Sequence, residues 1–462
     1  MGLRNPMKLV ELQAKYPAFV YQTYGYVLKD GDLVVSFAFK MAPDIEFRPQ
    51  LVFKNVDSDR IKKMGEPALA NLVFHLGLCE IPTYWKAACS PTITIEAGYL
   101  DKVQVKFWQG LFFNGMGQFY YENKLPFLTP KFKIKHAKPD SASVFKQKLS
   151  DRFLVPLGGG KDSLVSYELL RQAGKRISTL AVEPNLALKN VAGFIGAPNI
   201  EISRKIDYKI INLNKQGFFN GHTPFSSVLA FITTAAALIY DFKYIAISQE
   251  RSSNEGNVKY LGRSVNHQYS KTYDFEKSFG KYIKKHLSSE VEFFSLLRPF
   301  YELQIAKIFS NYPKYFPVFL SCNKPFTLAA RETGAGGWCG NCPKCLFTFT
   351  ALYSFIGEKT IDIFRNNLFE QKELLPIMLD LVGAGTCKPF ECVGTFEEAR
   401  AAFYLSLQKT TTRPYLLSYF EENILPKYPK LPAQARALLK SWNGKNNVPA
   451  GLQPSLKRSV QG

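Results

Sequence analysis

Residues 154–163 read LVPLGGGKDS, and this stretch predicts the fold of the chain around it. A buried strand is expected over 153–157, because every residue there is apolar. The glycines that follow let the backbone turn tightly and approach a ligand without side chains in the way. A helix is expected over 163–172, so its unpaired N–H groups and the positive end of its dipole face the loop. The stretch therefore predicts a phosphate site, in which Lys161 adds charge and Asp162 is suited to hold Mg²⁺. The predicted phosphate-binding residues are Gly158, Gly159, Gly160, Lys161, Asp162 and Ser163.

Two other nucleotide-binding loops do not match this stretch. A Walker A loop has Gly-Lys followed directly by Ser or Thr, whereas Asp162 stands between Lys161 and Ser163. A dinucleotide fingerprint requires Gly-x-Gly-x-x-Gly, which the stretch lacks. GGGKDS resembles the SGGxDS loop of the PP-loop ATP pyrophosphatases, with Gly158 in place of the first Ser. That resemblance implies cleavage of ATP to AMP and pyrophosphate, with adenylation of a carbonyl or carboxyl oxygen.

Strand-like and helical segments alternate on the C-terminal side of the loop. Further strands are predicted at 177–182, 209–213 and 244–248. Such alternation predicts an α/β fold, a parallel sheet with flanking helices. By its resemblance to the PP-loop enzymes, this sheet is expected to be of the adenine nucleotide alpha hydrolase-like type.

The segment before the loop has a different pattern. Alternating apolar runs flank Lys29-Asp30-Gly31-Asp32, which predicts a hairpin. Additional strands are predicted at 45–53, 92–96 and 103–107, and a helix near 67–78. A polar linker is predicted at 138–150. The predicted domains are an N-terminal β-rich α+β domain at 1–140, the ATP-binding domain at 150–350, a helical C-terminal region at 351–445, and a disordered tail at 446–462.

Four of the 8 cysteines fall at the spacing of metal ligands. WCGNCPKC at 338–345 contains Cys339, Cys342 and Cys345, and Cys322 precedes them. Cys-x₂-Cys pairs with a distant fourth thiolate are typical of a closed structural Zn²⁺ site. An iron–sulfur cluster is the alternative, because cysteines at this spacing also bind such clusters.

Polar residues follow the predicted strand at 244–248 directly. Loops beyond the carboxyl ends of parallel strands line the ligand crevice, so AISQERSSNEGN at 246–257 is expected to line the site. His267 lies in a second polar run, and Cys392 in the loop KPFECVG at 388–394. His267 can also be interpreted as a hydrogen-bonded structural histidine, and Cys392 as a small buried hydrophobic residue.

The charge balance favours anionic partners. The chain has 59 Lys and Arg against 38 Asp and Glu, a formal net charge of +21. Nucleic acid, anionic membrane and phosphorylated metabolites would all be attracted, and a solvated Lys-rich surface is the alternative explanation. The N-terminus does not resemble a secretory signal, and the longest apolar segment, 226–240, is too short for a membrane span and predicts a buried helix. A cytoplasmic protein without membrane association is therefore expected.

Taken together, several segments resemble the UDP-N-acetylmuramoyl-L-alanyl-L-glutamate epimerase (MurL) family. They are PLGGGKDSL, QERSSNEGN, VNHQYSKTYDFE, SLLRPFYELQIAKIF, SCN with WCGNCPKC, and KPFECVGT. The resemblance implies peptidoglycan precursor synthesis, in which the terminal L-glutamate of UDP-MurNAc-L-Ala-L-Glu is inverted to D-glutamate through carboxylate adenylation. It also implies a functional pairing with the ligase that adds L-glutamate to UDP-MurNAc-L-Ala.

Under that resemblance, inversion requires a base and an acid on opposite faces of the glutamyl Cα. The candidates, in order, are His267, Glu255 and Cys392. Side chains expected to bind the anionic UDP-sugar peptide are Arg251, Asn254, Asn257 and Arg263. The implied cofactors are ATP, Mg²⁺ and structural Zn²⁺. A PP-loop enzyme that modifies tRNA or forms a deazapurine is the alternative, with nucleic acid as its partner, and an ATP sensor without turnover is a further alternative.

Overall fold

The computed structural model describes residues 4–126, 132–137, 143–324 and 337–461, and the side chains of 7–460 within those ranges. It is a mixed α/β structure. The helices are α1 Arg4–Lys15, α2 Ser58–Met64, α3 Glu66–Trp85, α4 Lys102–Gly115, α5 Gly117–Glu122, α6 Lys161–Gln172, α7 Leu186–Ile195, α8 Lys209–Lys215, α9 Phe225–Ile239, α10 Tyr273–His286, α11 Glu302–Phe309, α12 Pro343–Ile356, α13 Lys359–Phe364, α14 Leu375–Val382, α15 Phe396–Leu407, α16 Tyr415–Asn423, α17 Leu431–Lys440 and α18 Gln453–Gln461. The strands are β1 Ala18–Lys29, β2 Asp32–Ala42, β3 Ile45–Phe47, β4 Gln50–Phe53, β5 Thr92–Ile95, β6 Lys133–His136, β7 Phe153–Pro156, β8 Ile177–Val182, β9 Asn199–Lys205, β10 Tyr244–Ile247, β11 Val258–Tyr260, β12 Arg263–Val265 and β13 Glu292–Ser295.

The chain divides into two compact units, each discontinuous in sequence. The first unit contains Met1–Leu154, Ile200–Ile245 and Val258–Phe293. The second unit contains Val155–Asn199, Ala246–Asn257 and Phe294–Gly462. These boundaries differ from the contiguous ones expected from the sequence, and the four-part division stays a prediction.

The first unit is built around a long hairpin. β1 and β2 pair antiparallel, and their turn residues Asp30 and Gly31 both have positive φ, as hairpin turns of this length require. This confirms the hairpin predicted there. The strands pair in the order β9-β4-β2-β1-β5-β6, with parallel pairing on the β5 side and antiparallel pairing on the β4 side. Helix α3 is buried along almost its whole length, so it forms the core of this unit.

The strands that carry the glycine loop are ordered β13-β10-β7-β8, and β7 and β10 run parallel. All residues of β7 are buried, as its apolar sequence predicts. Helix α6 packs against α11 in the second unit, and α12 packs against α15. The helical C-terminal region predicted from the sequence is confirmed.

Two predicted strands are helices. The run at 103–107 lies in α4, where Asp101 and Gln104 form a reciprocal capping box that starts a helix. The run at 209–213 lies in α8, and its buried residues Ile210 and Leu213 have helical spacing. Both runs are short, and a short apolar pattern is compatible with either structure.

The C-terminal segment is helical at Gln453–Gln461, which differs from the disorder predicted for 446–462, and residue 462 lies outside the described residues. Helix α18 buries Leu456 and Val460, and Leu452 before it is also buried, so apolar residues four positions apart form one face. The predicted linker is also partly packed. Phe145 is buried and its N–H donates to the Leu287 carbonyl, whereas residues 138–142 lie outside the described residues.

Among the described helices, none combines the length and the apolar character that a bilayer span demands. The apolar segment at 226–240 corresponds to α9, a largely buried helix of the first unit.

Candidate functional site

The glycine loop joins β7 to α6 and leaves backbone donors available. Gly159 has φ +77°, a left-handed conformation that glycine adopts without strain. Gly160 is the N-cap residue of α6 and provides no side chain to cap its first N–H groups. A Cβ on Gly160 would lie 2.6 Å from Ser321 Oγ, whereas Gly158 has open space around it. The first turn of α6 is therefore suited to bind an anion.

Lys161, the first residue of α6, is only 3% exposed. Its ammonium donates to Asp162 Oδ1 at 2.6 Å and to the carboxylate of Glu302, the first residue of α11. Burial lowers the pKa of Lys161, but the charges of Asp162 and Glu302 outweigh it and raise that pKa, so the side chain stays protonated. Burial also raises the pKa of Glu302, as does the charge of Asp162.

Glu250 completes a carboxylate cluster beside the loop. One oxygen each from Asp162, Glu250 and Glu302 lies within 4.8 Å of the others. Carboxylate oxygens are the ligands that Mg²⁺ prefers, and three carboxylates exceed the charge of one ammonium. The donor set therefore fits a divalent cation, with Lys161 balancing part of the charge.

Arg298 fixes the loop that follows β10. Its side chain is completely buried, and its Nη1 donates to the Glu250 carbonyl at 2.6 Å and to Ser253 Oγ at 2.9 Å. Its Nη2 donates to Gln249 Oε1 at 3.3 Å. A planar guanidinium with several donors thus holds the backbone that carries Glu250.

Glu398 connects the same loop to two helices. Its carboxylate accepts from the Thr395 N–H at 2.7 Å, at the start of α15, and from the Leu303 N–H at 3.1 Å, at the start of α11. Ser252 Oγ also donates to it. Burial raises the pKa of Glu398, and these donors oppose that shift by stabilising the charge. Glu398 therefore positions the first turn of α11, which carries Glu302.

The loop at 388–394 meets the loop after β10. Lys388 is buried and forms an ion pair with Glu255. Asn257 Nδ2 donates to the Pro389 carbonyl at 2.7 Å. Cys392 is half-buried on this loop. Two of the candidate acid/base residues, Glu255 and Cys392, therefore lie on adjoining loops of the second unit.

A cavity of about 1220 Å³ opens after β8 in the second unit. Its wall includes Leu320, whose N–H donates to the Gly159 carbonyl at 2.8 Å, so it adjoins the glycine loop. The cavity is larger than many small-molecule sites and has an aromatic lining with a few charged groups. The residues that give it this character are Phe316, Phe319, Trp338, Phe364, Lys359 and Arg365.

The four predicted metal ligands come together. The Sγ atoms of Cys322, Cys339, Cys342 and Cys345 all lie within 4.8 Å of one another. Cys342 is the N-cap of α12, and its sulfur accepts from the Cys345 N–H at 3.4 Å. Hydrogen bonding with Cys322 raises the pKa of Cys342 to about 12, and the same pairing lowers the pKa of Cys322, so the two thiols ionise unequally. Four thiolates this close together repel one another, and a divalent cation would offset that repulsion, so this cluster can bind a metal.

The remaining predicted residues fall in both units. Arg251 lies over the Tyr301 ring at 4.2 Å, and Asn254 Nδ2 donates to the Arg251 carbonyl at 2.9 Å, both in the second unit. His267 and Arg263 belong to the first unit, where Arg263 lies over the Phe113 ring at 4.3 Å. The catalytic and binding roles of these residues stay predictions.

The sequence places Glu250 in the polar segment expected to line the site, but no role is predicted for Glu250, Glu302 or Glu398. They are far apart in the chain, and only the fold brings them together. The available signal is positional: Glu250 follows β10 closely, and Glu302 begins α11. An acidic residue at such a position is available to a ligand at the sheet edge.

Comparisons with known proteins agree with the sequence motifs. The family model described as MurL N-terminal domain matches residues 10–296, and that described as MurL C-terminal domain matches 318–429. A protein of Xanthomonas oryzae pv. oryzae, named UDP-N-acetyl-alpha-D-muramoyl-L-alanyl-L-glutamate epimerase, is 33% identical over 372 residues, which cover 80% of this chain and 82% of the relative. Proteins of Micromonospora sp. and Salinispora tropica with the same name are each 30% identical, covering 86% and 84% of this chain and 88% and 84% of the relatives. The resemblance stated from the motifs is confirmed.

The cysteine cluster makes a prediction about metal content. We expect the purified protein to contain zinc at about one equivalent, because four thiolates satisfy tetrahedral Zn²⁺. The Cys342→Ser variant should lose the metal and have a lower melting temperature. Cys387→Ser, which changes a cysteine outside the cluster, should retain the metal and the original melting temperature. Elemental analysis and thermal unfolding measure these outcomes. Iron with the visible absorption of an iron–sulfur cluster, or zinc retained in Cys342→Ser, would contradict the expectation.

Proposed function

The chain belongs to the MurL family, and we propose that it is an ATP-dependent epimerase acting on UDP-MurNAc-L-Ala-L-Glu in peptidoglycan precursor synthesis. The names of the relatives support the substrate and the epimerisation. The observation that carries the ATP-dependent part is the glycine loop at the uncapped start of α6, beside Lys161 and three carboxylates.

The chemistry explains why ATP would be needed. A carboxylate withdraws electrons poorly, so the neighbouring Cα–H is a very weak acid. In the proposed reaction the α-carboxylate oxygen attacks the α-phosphorus of ATP, the bond to the β-phosphate breaks, and pyrophosphate leaves. The resulting acyl-adenylate makes the Cα–H more acidic. Removal of that proton, return of a proton to the opposite face and attack of water on the acyl carbon yield the D-centre and AMP.

The residues of the second unit suit the binding of ATP phosphates. N–H groups at the start of α6 and the Lys161 ammonium offer donors and positive charge. Asp162, Glu250 and Glu302 would hold Mg²⁺, which supplies charge neutralisation for the leaving pyrophosphate. The adjoining aromatic cavity is proposed to take the nucleoside, because its wall meets the loop at Gly159.

The acid and base are proposed among His267, Glu255 and Cys392. Glu255 is held by its ion pair with Lys388 on the loop that follows β10. Arg251, Asn254, Asn257 and Arg263 are proposed substrate contacts, since guanidinium and amide groups bind carboxylates and phosphates. We further propose a cytoplasmic location, where ATP and UDP-sugars are found, and cooperation with the L-glutamate-adding ligase.

The proposal predicts pyrophosphate release that depends on the substrate. We expect ATP, Mg²⁺ and UDP-MurNAc-L-Ala-L-Glu together to yield AMP, pyrophosphate and D-glutamate after hydrolysis and chiral analysis. The diastereomer UDP-MurNAc-L-Ala-D-Glu and UDP-MurNAc-L-Ala serve as the matched substrate controls. D-glutamate formed without ATP would refute the adenylation route. Substrate-dependent pyrophosphate without D-glutamate would refute the epimerase.

The glycine loop predicts a separate variant series. Gly160→Ala should lower pyrophosphate release at least about tenfold, because its Cβ would meet Ser321 Oγ at 2.6 Å and displace the loop. Gly160→Ala with Ser321→Ala should recover part of the loss, and Gly158→Ser should be tolerated because its surroundings are open. Steady-state kinetics with circular dichroism on each variant measure this. Unchanged turnover in Gly160→Ala would show that the loop does not hold the phosphates.

A further inference from the structure

Basic side chains gather at one place in the first unit, and none of them is among the residues proposed to hold ATP. Lys86 follows α3, His222 precedes α9, and His267 and Lys271 lie between β12 and α10. The rings of His222 and His267 are 6.4 Å apart between centroids. Each of these four side chains is buried or half-buried.

Lys86 is the most buried of the four, at 8% exposure. Among the described residues, its ammonium donates only to the Gly221 carbonyl, at 2.7 Å. Burial lowers the pKa of Lys86 to about 8. Arg204, in the same unit, is different, because Glu80 holds it with two hydrogen bonds of 2.6 and 2.7 Å. A buried cation without a carboxylate is costly, and an anionic ligand would offset that cost.

His222 supplies a second, independent observation. Its Nδ1 is buried and has no hydrogen-bond partner among the residues that the structure describes. Burial, followed by the charges of His267, Lys86 and Lys271, lowers the pKa of His222 to about 3, so the ring is neutral near pH 7. A buried ring nitrogen without a partner is unusual in a folded protein, and a bound ligand or a water molecule would supply that partner.

The neighbouring acidic group does not complete this cluster. The Glu122 carboxylate comes close to Gly221, since a Cβ there would lie 3.3 Å from Glu122 Oε2. Glu122 is exposed, however, and accepts from Gln118 Nε2 at 2.7 Å. It therefore does not satisfy the ammonium of Lys86 or Nδ1 of His222.

We infer that Lys86, His222, His267 and Lys271 form a binding site for an oxyanion, and that its ligand is a diphosphate. Two ammonium groups carry more positive charge than a single carboxylate can balance. Together with the two imidazoles, they also offer more hydrogen-bond donors than one carboxylate can accept. The diphosphate of a nucleotide-sugar has the matching charge, so the identity of the natural ligand rests on the proposed function. The existence of the site does not.

Histidine NMR tests the site directly, because the chain contains only 5 histidines. The full-length protein is labelled at histidine Cε1, and the His222 signal is assigned from the spectrum of His222→Gln. Inorganic pyrophosphate, UDP and L-glutamate are then titrated separately. We expect pyrophosphate and UDP to shift the His222 signal saturably and to raise its pKa, and L-glutamate to leave it unchanged. A response to L-glutamate alone overturns the diphosphate assignment, and no response to any of the three overturns the site.

A matched pair of variants locates the charge that binds the anion. Lys86→Met should weaken UDP binding, measured from the His222 shift, at least about tenfold. Lys63→Met removes an exposed lysine from the same unit and should leave the affinity unchanged. Equal affinities in both variants contradict the inference, and the titration of the unmodified protein stands if Lys86→Met does not fold. Pyrophosphate release from ATP is assayed separately, so a failed UDP titration with intact turnover removes this site and keeps the proposed function.

Discussion

A buried ammonium among carboxylates is the constraint on which the second unit depends. Removing Lys161 from water is costly, and its contacts with Asp162 and Glu302 must offset that cost. Removing one partner of such a buried pair typically lowers the free energy of unfolding by about 3–5 kcal/mol, because the remaining charge is left uncompensated. The pair also joins the start of α6 to the start of α11, which places carboxylates beside the glycine loop. A charge arrangement that the fold needs for stability is thereby available to the proposed nucleotide and its metal.

Supporting contacts keep this arrangement in place. Arg298 holds the backbone at Glu250, and Glu398 holds the first turn of α11 from the side of α15. Neither residue has to contact a ligand to affect the site, because displacement of the backbone at Glu250 or of α11 would separate the carboxylates. The aromatic cavity and the cysteine cluster lie on segments of the same unit, so nucleotide phosphates, nucleoside and metal would share one scaffold.

Local signals in the sequence predicted the parts of the site that are local in structure. The strand, glycines and helix at 153–172 are adjacent in the chain, and the cysteine spacing at 338–345 identifies ligands within one segment. Tertiary contacts decided what the sequence could not show. Separate elements bring Glu250 and Glu302 beside Asp162, and Glu398 binds the first turn of α11. The run at 103–107 lies in a capped helix, and the run at 209–213 lies in a helix that buries Ile210 and Leu213. The helix within 446–461 is not predicted because Leu452, Leu456 and Val460 are too few to indicate a helix without the surface that they pack against.

In the proposed reaction ATP activates the glutamyl carboxylate, and isotope transfer tests this step most directly. UDP-MurNAc-L-Ala-L-Glu labelled with ¹⁸O in its α-carboxylate is turned over with unlabelled ATP, and the AMP is analysed by mass spectrometry. If the carboxylate attacks the α-phosphorus and water later attacks the acyl carbon, AMP carries an ¹⁸O from the substrate. D-glutamate formed alongside unlabelled AMP would contradict the account.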